Sequence, residues 1–238
     1  RSTLFPYTTL FRSALAFERL CMGQLHETLP RPSGTDPVDH YIQVLADKTG
    51  SLIAVSARYG AMLTDAGARA ERIVEDFGEK IGVAFQLADD VIDLTSDSAT
   101  TGKTPGTDLR EGVDTMPVLL LRKALAAGEL DAAGQAILSR LSTGDLSDDA
   151  FLADVVARLR EHPVLARTRE MAMAWAAEAV QGLEGIEEAV LDATKERLAK
   201  AGVEGEAAAV VLTDAGERVV QVRAAMEDFA RILVDRAA

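Results

Sequence analysis

Apolar residues recur at intervals of three and four along almost the whole chain, and alternating runs of β-branched residues are absent. That period belongs to helices that bury one face. Abundant Ala strengthens the assignment, because Ala loses least on entering a helix. The expected fold class is all-α. Ser33-Gly34-Thr35-Asp36-Pro37 reads as a loop ending in a cap, with Pro in the first helical turn. It opens a helix through about Leu63, in which Gly50 marks a kink or break. Asp65 is expected to cap the next helix, which runs to about Leu94. Residues 95–114 are rich in Ser, Thr, Asp and Gly, contain Pro105 and read as an irregular segment. Further helices are expected near 116–127, 131–141, 148–160, 165–182, 185–201 and 213–236, with a connector near 202–206.

The helix ending near Leu94 carries the most chemistry. In Phe85-Gln86-Leu87-Ala88-Asp89-Asp90-Val91-Ile92-Asp93-Leu94, three carboxylates share one stripe. At about 100° per residue, with Gln86 at zero, Asp89, Asp90 and Asp93 fall near 300°, 40° and 340°. Phe85, Leu87, Ala88, Val91, Ile92 and Leu94 fill roughly 80° to 260°. Carboxylates repel one another and Asp is a poor helix former, so the stripe calls for a compensating cation or water. A divalent metal site is the sharper interpretation, and a solvated acidic face the plainer one.

Composition narrows the classes. A chain of 238 residues, 48% hydrophobic, is large enough for one sizeable core. With 38 acidic against 25 basic residues the formal charge is -13, which on average repels nucleic acid and anionic membranes. An anionic substrate therefore needs a local basic patch or a bound metal. The single cysteine, Cys21, excludes an internal disulfide and suits the cytoplasm. No run of 18 apolar residues offers a transmembrane span. The segment from Thr3 to Ser13 resembles one reading frame of a sequencing-adapter oligonucleotide and lacks the features of a signal peptide. Residues 1–13 are accordingly set aside as an artefact or a disordered arm, and 14–238 are expected to form one helical domain lacking its first helices.

Three other places offer binding chemistry. At Lys48-Thr49-Gly50 a helix break would free backbone groups beside a cation and a hydroxyl, as a diphosphate oxygen requires. Gly102-Lys103 puts a flexible ammonium on a loop. Taken singly, both are more simply solvated lysines. Gln86 shares the carboxylate face and can hydrogen-bond a ligand. Gly78 and Gly82 either leave room for substrate there or allow tight helix packing. His26, His40 and His162 have no spacing suited to a shared metal.

The order of these elements carries more than any one of them. Gly23-Gln24, Lys48-Thr49-Gly50, Phe77-Gly78, Gly82, Phe85-Gln86, Asp89-Asp90-x-x-Asp93, Gly102-Lys103, Gly106, Asp108-Leu109, Gly112 and Thr115-x-Pro117 follow in sequence. The stretch from Gly23 to about Leu121 resembles the trans-isoprenyl diphosphate synthases, or polyprenyl synthetases. That resemblance implies a large antiparallel helix bundle of the isoprenoid synthase type around a central cavity, working as a homodimer or heteromer. It implies a magnesium-dependent prenyltransferase that condenses an allylic diphosphate with isopentenyl diphosphate, giving a linear isoprenyl diphosphate five carbons longer. By the same carry-over Asp89, Asp90 and Asp93 bind Mg2+, while Lys48, Thr49, Gln86 and Lys103 contact the allylic diphosphate. Asp89, Asp90, Lys48 and Lys103 are then the residues expected to be catalytic.

Two positions depart from the family pattern. No second D-D-x-x-D occurs; Asp148, Asp149 and Asp154 have the D-D-x-x-x-x-D spacing but read as an ordinary solvated helix, and Val113 stands where the family often has lysine. A chain truncated at its amino end, and inactive alone, is the expectation that follows. The alternative is a non-catalytic helical subunit of a heteromeric prenyl synthase. A terpene cyclase would share helices and magnesium but would more often carry N-D-x-x-S-x-x-x-E.

Overall fold

The structure, a computed structural model, describes residues 4–96 and 104–236, with side chains from residue 9 onward. Its regular elements are helices: α1 (Leu4–Thr28), α2 (Pro37–Leu45), a π-helical turn (Ala46–Gly50), α3 (Ser51–Leu63), α4 (Ala68–Thr95), α5 (Thr107–Arg110), α6 (Met116–Ala127), α7 (Ala132–Thr143), α8 (Asp149–Glu161), α9 (Pro163–Gln181), α10 (Ile186–Lys200) and α11 (Gly205–Asp235). The all-α class is as the periodicity predicts. No described helix is long and apolar enough to cross a membrane.

Local chemistry explains most of the boundaries. Asp36 Oδ1 accepts the N–H groups of Val38 and Asp39 at 2.8 and 3.2 Å, so it caps α2 ahead of Pro37. Asp131 and Asp148 cap α7 and α8 in the same way, each accepting at 2.7 Å from the residue three positions on. The expected break at Gly50 is a widened turn instead. The helix continues from Pro37 to Leu63 by passing through five π-helical residues. Asp65 does not cap α4. It lies at φ 52 and Gly67 at φ 92, so both residues are used in reversing the chain, and α4 starts only at Ala68. α11 begins well before 213, because Ala207 to Leu212 is apolar on all sides and shows no stripe. α1 takes in residues from 4 to 13, which the sequence pattern sets aside.

The described chain gathers into two compact units. The first comprises Arg1–Thr28, Val44–Val83 and Trp175–Ile232. Its buried side chains include Val44, Leu45, Val74, Phe77, Ile81, Leu183 and Ile186. Here backbones press together. A Cβ added to Gly82 would lie 2.5 Å from Gly50 Cα, one on Gly78 2.7 Å from Ala54 Cα, and one on Gly23 2.7 Å from the Lys48 nitrogen. Of the two roles open to Gly78 and Gly82, close helix packing is the one observed. Arg19 ties the same elements together, reaching Asp47 and Glu79 at 2.8 Å each.

The second unit comprises Leu29–Gln43, Ala84–Ala174 and Leu233–Ala238. Leu87, Val91 and Leu94 of α4 are buried, as are Met116, Leu121, Ile137, Leu152 and Leu159. α8 packs on the turn before α5, where a Cβ on Gly106 (φ +80) would meet Val156 at 2.6 Å. His162 closes α8 and serves α9, accepting the Val164 N–H on Nδ1 at 3.1 Å.

Candidate functional site

The three carboxylates of α4 stand on one stripe, but their surroundings differ. Asp89 keeps 42% of its side-chain surface exposed. Arg236 approaches it, with Nη2 3.8 Å from Oδ1 and the guanidinium carbon 5.6 Å above the Phe85 ring. Asp93 is half-buried and holds the turn that opens α5. Its backbone carbonyl accepts from Gly106 N–H at 3.0 Å and its Oδ1 from Thr107 N–H at 3.2 Å.

Asp90 points inward and is only 5% exposed. Tyr41 O–H reaches its two oxygens at 3.1 and 3.2 Å, and Met116 N–H donates to Oδ2 at 3.1 Å. Burial pushes this carboxyl from 3.8 up to about 8, overcoming the two hydrogen bonds that pull it down, while Asp108 and Asp89 add to the rise.

The remaining candidates fall into two groups. Gln86 is half-buried on α4 in the second unit. Lys48 and Thr49 belong to the first unit, within the π-helical turn. Lys48 Nζ bonds both carboxylate oxygens of Glu27 on α1, at 3.0 and 2.8 Å. Lys103 lies outside the described residues. The structure thus groups Asp90 with Tyr41 and Met116, Asp93 with Thr107, and Lys48 with Glu27.

Tyr41, Met116 and Glu27 carry no local signal that marks them as partners. The angles do not single out Asp90 either: at roughly 40° it is as far from the start of the apolar arc at about 80° as Asp89, at roughly 300°, is from its end at about 260°.

Among the described residues, no three His, Cys, Asp or Glu side chains converge as a metal cage. The donor set still fits magnesium. That ion takes hard oxygen ligands, keeps several waters and is commonly held by one or two carboxylates plus substrate phosphates. Asp89 and Asp93 can supply those two.

Residues 6–143 match the family described as Polyprenyl synthetase. The chain is 38% identical over 163 residues to nonaprenyl diphosphate synthase of Mycobacterium tuberculosis, covering 68% of this chain and 47% of that protein. It is 38% identical over 109 residues to farnesyl diphosphate synthase of Escherichia coli, covering 45% and 36%. Among solved structures, geranylgeranyl pyrophosphate synthase from Corynebacterium glutamicum, complexed with calcium and isoprenyl diphosphate, superposes with a TM-score of 0.69 at 29% identity. That match covers 98% of this chain and 60% of that one. The chain spans about half the length of the curated relatives it matches. It belongs to the polyprenyl synthetase family.

Proposed function

We propose that this chain is part of a magnesium-dependent prenyltransferase that joins an allylic diphosphate to isopentenyl diphosphate and releases a longer linear isoprenyl diphosphate. The observation that carries it is the pair Asp89 and Asp93, two accessible carboxylates on one stripe of α4 inside the part of the chain that matches the family. The calcium and isoprenyl diphosphate bound by the Corynebacterium relative support a divalent ion and a diphosphate as the ligands.

Asp89 and Asp93 would hold the ion, directly or through water, and Asp90 belongs to the same motif. When bound, magnesium neutralises charge on the leaving diphosphate. Lys48 and Lys103 each bring an ammonium to diphosphate oxygens, and Thr49 and Gln86 add hydrogen bonds. Lys48 gives up Glu27 to do so. Cleavage of the carbon–oxygen bond leaves an allylic cation. The double bond of isopentenyl diphosphate attacks it, and loss of a proton restores an alkene in a product five carbons longer.

The protein acts in the cytoplasm as a homodimer or heteromer. The exposed apolar side chains Phe17, Met22 and Leu25 on α1 support an assembly. The 238-residue chain alone is inactive, since two carboxylates hold magnesium weakly.

The test is a condensation assay with radiolabelled isopentenyl diphosphate, allylic diphosphates and Mg2+. A version extended to the length of the relatives should give labelled, chain-elongated product, and the present chain none. No product from the extended protein with any allylic primer from five to twenty carbons would sink the reading.

A further inference from the structure

We infer that Asp90 and Tyr41 are positioning residues of the aspartate stripe, and that Asp90 holds the amino end of α6 rather than a metal ion. The inference rests on the assignment of the metal to this stripe and assigns its middle member a different task.

Occupancy of the carboxylate comes first. Both oxygens are engaged, Oδ1 by Tyr41 and Oδ2 by Tyr41 and Met116, in a site that is 5% exposed and flanked by buried Leu87, Val91 and Leu94. To join Asp89 on a cation, Asp90 would have to leave this site. Met116 N–H would then be buried without this acceptor, and the Tyr41 bonds to it would be lost.

The second argument is what α6 needs. A helix begins with N–H groups that no carbonyl of its own can satisfy. The residue in the cap position, Thr115, makes no side-chain capping bond, and Pro117 has no N–H to offer. Thr115, Met116 and Val118 are buried, at 5, 0 and 1% exposure, which leaves water little access to replace a cap. Asp90 supplies the missing acceptor from another helix and places a carboxyl at the positive end of α6.

Spacing completes the case. Asp90 stands beside the edge of the apolar arc where Leu87 and Leu94 are buried, while Asp89 stands beside the edge where Phe85 and Ile92 are only half-buried, with Asp93 between the two. One buried carboxylate fastened to α2 through Tyr41 and to α6 through Met116 fixes the rotation of α4 about its axis. That rotation sets where the oxygens of Asp89 and Asp93 stand, the service a supporting shell performs for metal ligands.

The test is Mn2+ titration of this 238-residue chain, followed by water-proton relaxation, with melting temperature and amide hydrogen exchange measured alongside. Asp89→Asn should weaken Mn2+ binding by about tenfold or more and leave the melting temperature unchanged. Asp90→Asn keeps an acceptor oxygen, so it should bind Mn2+ within roughly threefold of the parent and keep the Met116 amide protected. Asp90→Ala should lower the melting temperature and speed exchange at Met116, and Tyr41→Phe should do so more mildly. An Asp90→Asn chain as weak toward Mn2+ as Asp89→Asn overturns the inference, as does unchanged Met116 exchange in Asp90→Ala. If the parent takes up no Mn2+, the metal assignment fails separately, and Met116 exchange still decides whether Asp90 is the cap. Should Asp90→Ala not fold, Asp90→Asn carries the comparison.

Discussion

Met116 N–H donates to Asp90 Oδ2 at 3.1 Å, joining the first residue of α6 to a side chain 26 positions earlier. This places a carboxyl in a nearly dry site, where burial raises it to about 8. Below about pH 4 folded and unfolded chains both carry the proton. As pH rises, the unfolded chain loses it near 3.8 and the folded chain only near 8. Stability is therefore present in full below about pH 4, declines above it and levels off beyond about pH 8. Urea midpoints from pH 4 to 9 in chelator should fall for the parent and fall less for Asp90→Asn. Parallel curves would show that Asp90 ionises normally.

Asp89, half-exposed on α4, is a ligand of the proposed magnesium site. In a catalytically active, extended version, Asp89→Ala should lower the rate by two or more orders of magnitude, about the loss of one strong transition-state contact. A near-parental rate at saturating magnesium would remove Asp89 from the site.

Lys48 pairs with Glu27 while 32 and 22% of the two side chains remain exposed. A pair this open contributes less than about 1 kcal/mol. Lys48→Ala should accordingly shift the urea midpoint little but raise KM for the allylic diphosphate by roughly tenfold in the active version. An unchanged KM would make Lys48 a surface ion-pair partner only.

The glycines separate by what surrounds them. Gly82→Ala would drive a methyl to 2.5 Å from Gly50 Cα, and the cost should be about 1–3 kcal/mol. Gly60, inside α3, has nothing within 4 Å of its would-be Cβ, so Gly60→Ala should stabilise by about 0.5–1 kcal/mol. Chemical denaturation of both variants checks the contrast in sign.

Arg160 of α8 closes the carboxyl end of α4, just beyond the aspartates. Its Nε donates to Leu94 O and its Nη2 to Ser96 O, the latter at 3.1 Å, so a cation meets the negative end of α4. Arg160→Met should cost about 1 kcal/mol and speed exchange in the last turn of α4, with Arg160→Lys intermediate. Equal exchange in all three proteins would show that the contact holds nothing in place.

Much of this molecule is determined by its sequence alone. The helical class, the cap at Asp36, and the stripe that carries Asp89, Asp90 and Asp93 follow from periodicity and capping chemistry, which act within a turn or two of one helix. The same local rules mislead at Asp65, whose conformation answers to a chain reversal, and fall silent before 213, where an all-apolar run has no face to detect. Only the tertiary structure decides that Asp90 turns inward while Asp89 stays at the surface, that Lys48 is held by Glu27, and that Gly78 and Gly82 serve close packing. Those partners lie 49 and 21 residues away for Asp90–Tyr41 and Lys48–Glu27. No helical period reaches so far; burial and hydrogen-bond satisfaction across packed helices settle which way each side chain faces.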